Sequence, residues 1–99
     1  MSHVVVARFW IDSRSEHAFR RREAALQPIM HRHGGSLVYE FSPDGAPGPS
    51  PQPPSVVHVL EFPDASSFGE YLRDRDRLAI SASGDGAPVR VEIIAGAAS

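Results

Sequence analysis

Neither cysteine nor lysine occurs in these 99 residues. Lack of cysteine excludes disulfides, a thiolate nucleophile and a thiolate-held metal together, and makes the cytoplasm the expected compartment. Lack of lysine excludes Schiff-base chemistry and an amine general base, since all ten basic residues are arginines. A basic excess is missing as well. The formal charge of -2 argues against a nucleic-acid partner. No apolar run is long enough to span a membrane. Met1 to Ala7 runs straight into a strand-like pattern, so no targeting leader is expected. No glycine-rich phosphate loop appears, and Ser81 and Ser83 lack the surroundings of a nucleophile elbow. No cofactor and no metal site are expected; His31 and His33, two apart on a helix, point away from each other and cannot share an ion.

What remains is an ordinary globular composition, 41% apolar, in a length that suits one domain spanning 1–99. The chain reads as one unit used twice: strand, helix, strand over 3–43 and again over 55–96. His3 to Ile11 is rich in β-branched and aromatic residues and reads as a central strand. Ser13 followed by Glu16 has the spacing of a capping box, which predicts a helix from about Arg14 to His33. Its inward stripe is expected to be Ala18, Phe19, Ala25, Leu26, Ile29, Met30 and His33, opposite Arg20, Arg21 and Glu23. Pro28 should bend it and Gly34 should end it. Ser36 to Ser42 is the second strand. Residues 43–54 hold six of the nine prolines and read as a long hairpin loop, not a strand. Val56 to Phe62 is the third strand. Asp64 caps a helix from Ala65 to about Leu72, with Phe68, Tyr71 and Leu72 inward. Arg73 to Ile80 either extends that helix or forms a separate turn, and Val89 to Ile94 closes the sheet.

Two patches carry a resemblance. The run Gln27-Pro-Ile-Met-His-Arg-His-Gly-Gly-Ser-Leu-Val and the run Leu60-Glu-Phe-Pro-Asp-Ala-Ser-Ser-Phe-Gly-Glu-Tyr resemble the DUF1330-like families of the dimeric α/β-barrel superfamily, which also includes antibiotic-biosynthesis-type monooxygenases. The resemblance implies an α+β, ferredoxin-like βαββαβ fold: an antiparallel four-stranded sheet in order 4-1-3-2, two helices on one face, and two chains pairing their bare faces into a barrel. The proline-rich loop and the Arg73-Asp-Arg-Asp-Arg stretch depart from that pattern.

Alternation along the strands agrees with a bare, half-polar face. With Val5, Ala7, Phe9 and Ile11 toward the helices, Val4, Val6, Arg8 and Trp10 face the other way. Strand two is expected to add Val38 and Glu40 there, strand three Val56, His58, Leu60 and Phe62, and strand four Arg90 and Glu92. Such a face argues for a homodimer enclosing a cavity. Within it, His58 beside Glu40 is a candidate general acid or base and Arg8 an anion clamp. Trp10, Leu60, Phe62, Arg90 and Glu92 would contact a small hydrophobic metabolite. The competing reading makes these charges a paired interface network and His58 a core histidine; a one-residue slip in strand three would exchange His58 for Val57, Val59 and Glu61. The functional classes are a cofactor-independent enzyme of monooxygenase or isomerase/cyclase type, a small-ligand carrier or sensor, and a structural dimer.

Overall fold

The computed structural model describes residues 2–44 and 52–98. The expected 43–54 loop lies outside the described residues except at its two ends. The elements follow in the order β1 (His3–Trp10), α1 (Glu16–Arg32), β2 (Ser36–Phe41), β3 (Val56–Phe62), α2 (Ala65–Arg73), α3 (Arg75–Ala82) and β4 (Arg90–Ala97), with a short 3-10 turn, Ser13–Ser15, before α1. All neighbouring strands are antiparallel and the sheet order is β2-β3-β1-β4, which is the expected ferredoxin-like arrangement. No helix among the described residues is long and apolar enough to cross a membrane.

Local chemistry explains the ends of the helices, with one correction. The Ser13–Glu16 capping box is not formed; the Asp12 carboxylate accepts from the Arg14 amide at 2.9 Å and starts the 3-10 turn instead. An aspartate that reaches the amide two residues ahead satisfies the same orphan donors. α1 continues through Pro28, which lies on its exposed side. At its end the Gly34 and Gly35 amides donate to the His31 and Met30 carbonyls, both at 3.0 Å. Gly34 has φ +78°, a conformation open to glycine at little cost. Gly35 is required for another reason: a Cβ there would lie 2.5 Å from the Phe62 ring. The Asp64 carboxylate accepts from the Ser67 amide at 2.7 Å and caps α2 as expected. The charged stretch 73–80 resolves as a separate helix, because Asp74 leaves the helical conformation and caps α3 through the Asp76 amide at 2.8 Å.

The core lies between the sheet and α1 and α2. Val5, Ile29, Met30, Phe62 and Tyr71 are buried in one cluster, with Leu37, Leu60, Phe68 and Leu72 packed around it. The stripe of α1 differs from expectation at two places. Ala25 is exposed, whereas Glu23 is half-buried and turns inward with Phe19, Leu26 and Met30. The spacing of four, three and four along Phe19, Glu23, Leu26 and Met30 places the carboxylate in the apolar stripe.

The register of β3 overturns the expected face. Ala7 stands opposite His58, Val5 opposite Leu60 and Phe9 opposite Val56. Residues directly opposite share a face, so Val56, His58, Leu60 and Phe62 lie under the helices, while Val57, Val59 and Glu61 take the bare face. Strand β2 is corrected by a bulge. Leu37 pairs with Leu60 and Tyr39 with Val59, so Val38 is the extra residue and every side chain after it is re-aimed. Glu40, expected on the bare face, thereby arrives opposite His58 on the covered one.

Candidate functional site

The covered face opens into an inner cavity of about 380 Å³ between the sheet, α1, α2 and α3. Much of its wall is apolar, from Val5, Ala7, Leu26, Leu37, Leu60 and Phe68. Its polar groups are Arg22, Glu23, Gln27, His58, Tyr71, Arg77 and Ser81. An outer cavity of about 340 Å³ adjoins it, with Glu16, Arg20, Glu40 and Ser55 among its lining groups. Glu23, Gln27 and His58 line both cavities and so form the wall between them. An apolar pocket with a few convergent polar groups is the usual form of a small-molecule site.

His58 is the centre of that wall. It is 6% exposed and packs edge-on against Phe9 at 5.1 Å between ring centres. Nε2 lies 3.2 Å from a Glu40 carboxylate oxygen and Nδ1 lies 3.9 Å from Glu23. Burial holds the imidazole below its usual pKa, against the opposing pull of Glu40. In the neutral ring Nε2–H donates to Glu40, which leaves Nδ1 as an acceptor on the Glu23 side. Arg20 reaches Glu40 at 3.5 Å and Glu16 at 3.3 Å, so Glu40 is a charged, anchored partner. Glu23 is different. Burial drives its carboxyl up to about 7, with Arg22 opposing and Glu40 adding to the rise. Two carboxyl groups therefore flank one imidazole, and the one on the Nδ1 side is raised by burial, an arrangement suited to acid–base work. Tyr71 is raised by burial and stays a neutral phenol.

The expected site divides between the two faces. His58, Glu40 and Leu60 come together on the covered face, while Phe62, 1% exposed, belongs to the core and does not line the cavity. Arg8, Trp10, Arg90 and Glu92 remain on the bare face. There Arg8 approaches Glu92 at 3.9 Å, Arg90 pairs with Glu92, and the Arg90 guanidinium lies over the Trp10 ring at 4.7 Å. The sheet thus separates Arg8 from His58. Glu23, Arg22, Tyr71 and Arg77 are the cavity residues that sequence reasoning did not assign to the site. Arg22 donates to the carbonyls of Ile80, Ser81 and Asp85. His33, on the expected inward stripe, pairs with Asp74 at 2.8 Å, and that bond lowers the Asp74 pKa. Among the described residues, no group of three or more acidic or histidine side chains is placed to hold a metal ion.

No protein-family model and no curated protein matches the sequence, so the likeness to DUF1330-like families rests on the two sequence patches alone. Solved structures do match over nearly the whole chain. A protein of unknown function from Rhodopseudomonas palustris is 16% identical with a TM-score of 0.79, over 95% of this chain and 79% of that one. An antibiotic-biosynthesis monooxygenase candidate from Nitrosomonas europaea is 8% identical with a TM-score of 0.74, over 98% and 89%. A variant of SnoaB, a cofactor-independent oxygenase from Streptomyces nogalater, is 15% identical with a TM-score of 0.69, over 98% and 92%. At these identities the likeness establishes the ferredoxin-like fold.

Proposed function

We propose that this chain is a small cofactor-independent enzyme, cytoplasmic and homodimeric, that removes a proton from an apolar metabolite held in the inner cavity. The observation that carries this reading is the buried, neutral His58 set between Glu40 and Glu23 in the wall of a largely apolar cavity. In the proposed step, Nδ1 accepts a proton from an acidic C–H or O–H of the substrate. The positive charge created on the ring is stabilised by Glu40 at 3.2 Å. Glu23, close to half-protonated at neutral pH, can return a proton to another atom of the anion, which completes an isomerisation or cyclisation. With dioxygen as co-reactant, the same substrate anion is the starting point for oxygenation, and the description of SnoaB as a cofactor-independent oxygenase supports that branch by fold analogy.

The test uses 2-tetralone, a small apolar ketone with an acidic C–H, and follows deuterium uptake from solvent by NMR. The wild-type protein is expected to accelerate exchange, and His58→Gln to lower the rate at least 100-fold, within the range of general-base contributions. Equal rates for the two folded proteins contradict the assignment. A second reading is favoured by the bare face, where Arg8, Trp10, Arg90 and Glu92 already pair with one another and Ile94 and Tyr39 are exposed. In that reading those residues are the interface of the homodimer and take no part in chemistry.

A further inference from the structure

The inner cavity holds more positive charge than its own carboxylate balances. Arg22 and Arg77 both line it, and neither forms an ion pair among the described residues. Arg22 is held in place by three donations to backbone carbonyls, which carry no net charge. Arg77 donates one Nη1 hydrogen to the Leu72 carbonyl at 3.0 Å and lies 5.3 Å above the Tyr71 ring. Its Nε is buried and has no acceptor, which is unusual for a guanidinium in a native interior. Nε and Nη2 form the side-on fork that matches a carboxylate, and that fork is unused. Glu23, the carboxyl that faces these two arginines, is pushed up to about 7 by burial, and even when ionised it balances only one of them.

We propose that the ligand of the inner cavity is an apolar carboxylic acid whose carboxylate is held by Arg77, with Arg22 adding to the positive field. This rests on the reading of the inner cavity as the ligand site. The carboxylate lies at the Tyr71–Arg77 end, and the apolar body lies along Val5, Leu26 and Leu60 toward His58. To use its fork, Arg77 swings off the Tyr71 ring into the cavity it already lines. Such a ligand adds the countercharge that the described residues supply only in part, through Glu23. A phosphate monoester would need more donors than the one free fork, because the hydrogen bonds described for Arg22 go to backbone carbonyls.

The probes are naphthalene-2-carboxylate and its uncharged isostere, naphthalene-2-carboxamide, each titrated against the full chain by calorimetry. The carboxylate is expected to bind at least tenfold tighter than the amide, with the difference shrinking as salt is raised. In Arg77→Met that preference is expected to vanish while amide binding is kept, and Arg77→Lys is expected to retain part of it. Equal wild-type affinities for the two probes overturn the proposal whether or not the variants fold, and leave the cavity reading standing. A preference that survives in a folded Arg77→Met protein overturns it as well. Binding of neither probe removes both the proposal and the cavity reading beneath it.

Discussion

The two faces of the sheet are built from alternate residues of the same strands, yet they treat charge in different ways. On the bare face, Arg8 and Arg90 share the Glu92 carboxylate in half-exposed contacts, and the Arg90 guanidinium also lies over the Trp10 ring. On the covered face His58 sits between two carboxyl groups, and among the described residues Arg22 and Arg77 form no ion pair with a carboxylate. Arginines that already hold a carboxylate or a ring lose less on dehydration by a second surface than arginines with no such partner. Unbalanced charge in a half-buried cavity is costly to keep and is ordinarily compensated by something that binds. Under the proposed function, the bare face is the one for assembly and the covered face the one for chemistry.

Substitutions can break that division, and the largest effect is expected in the core that supports the cavity. Phe62 is almost wholly buried and stacks near Phe68 and Tyr71. Phe62→Ala is expected to lower stability by about 3–5 kcal/mol in urea unfolding. A loss under 1 kcal/mol would contradict the placement of β3. Next comes Glu23. Its folded pKa of about 7 lies above its ordinary value of 4.5, so the native state binds the proton more tightly. Stability from this group is full below pH 4.5 and falls as pH rises to about 7, by about 3 kcal/mol at 1.36 kcal/mol per pKa unit. Glu23→Gln should therefore gain most of that at pH 8 relative to wild type and little at pH 4. His58 has the opposite sign: with its folded pKa depressed, stability is lost as pH falls through the unfolded value of 6.5. His58→Gln should flatten that acid-side loss, measured by unfolding curves across pH.

Smaller effects are expected on the bare face. Ile94, exposed beside Val6, is not part of the core, so Ile94→Asp should halve the solution mass by light scattering while changing monomer stability by about 0.5 kcal/mol or less. An unchanged mass would remove the dimer from the account. Arg8→Met should change stability by about 1 kcal/mol at most, because its pair with Glu92 is long and half-exposed. A larger loss would mean that the bare-face network has a role the contacts do not display.

How far the sequence allowed this division to be read depended on the strand. The element order, the end of α1 at Gly34, the Asp64 cap and the inward face of β1 were legible, because each rests on a residue type with one strong local preference. Strand β3 was not, since Val56, His58, Leu60, Phe62 and Val57, Val59, Glu61 are both apolar enough for a core. The one contrary signal was Glu61, a charge that suits the bare face. In β2 the bulge at Val38 carries no glycine or proline to announce it, so simple alternation placed Glu40 on the wrong side. Glu23 was legible in hindsight, as the member of the Phe19, Leu26, Met30 stripe that breaks its polarity. Arg77 was not, because its place depends on α3 starting afresh at the Asp74 cap.

The most direct test of the division between faces is methyl and imidazole NMR of the full chain during addition of naphthalene-2-carboxamide, whose binding does not depend on the arginines. The account predicts shifts of the Leu26 and Leu60 methyls and of the His58 ring, with Val6 and Ile94 unmoved. Shifts at Val6 and Ile94 with His58 unmoved would contradict it.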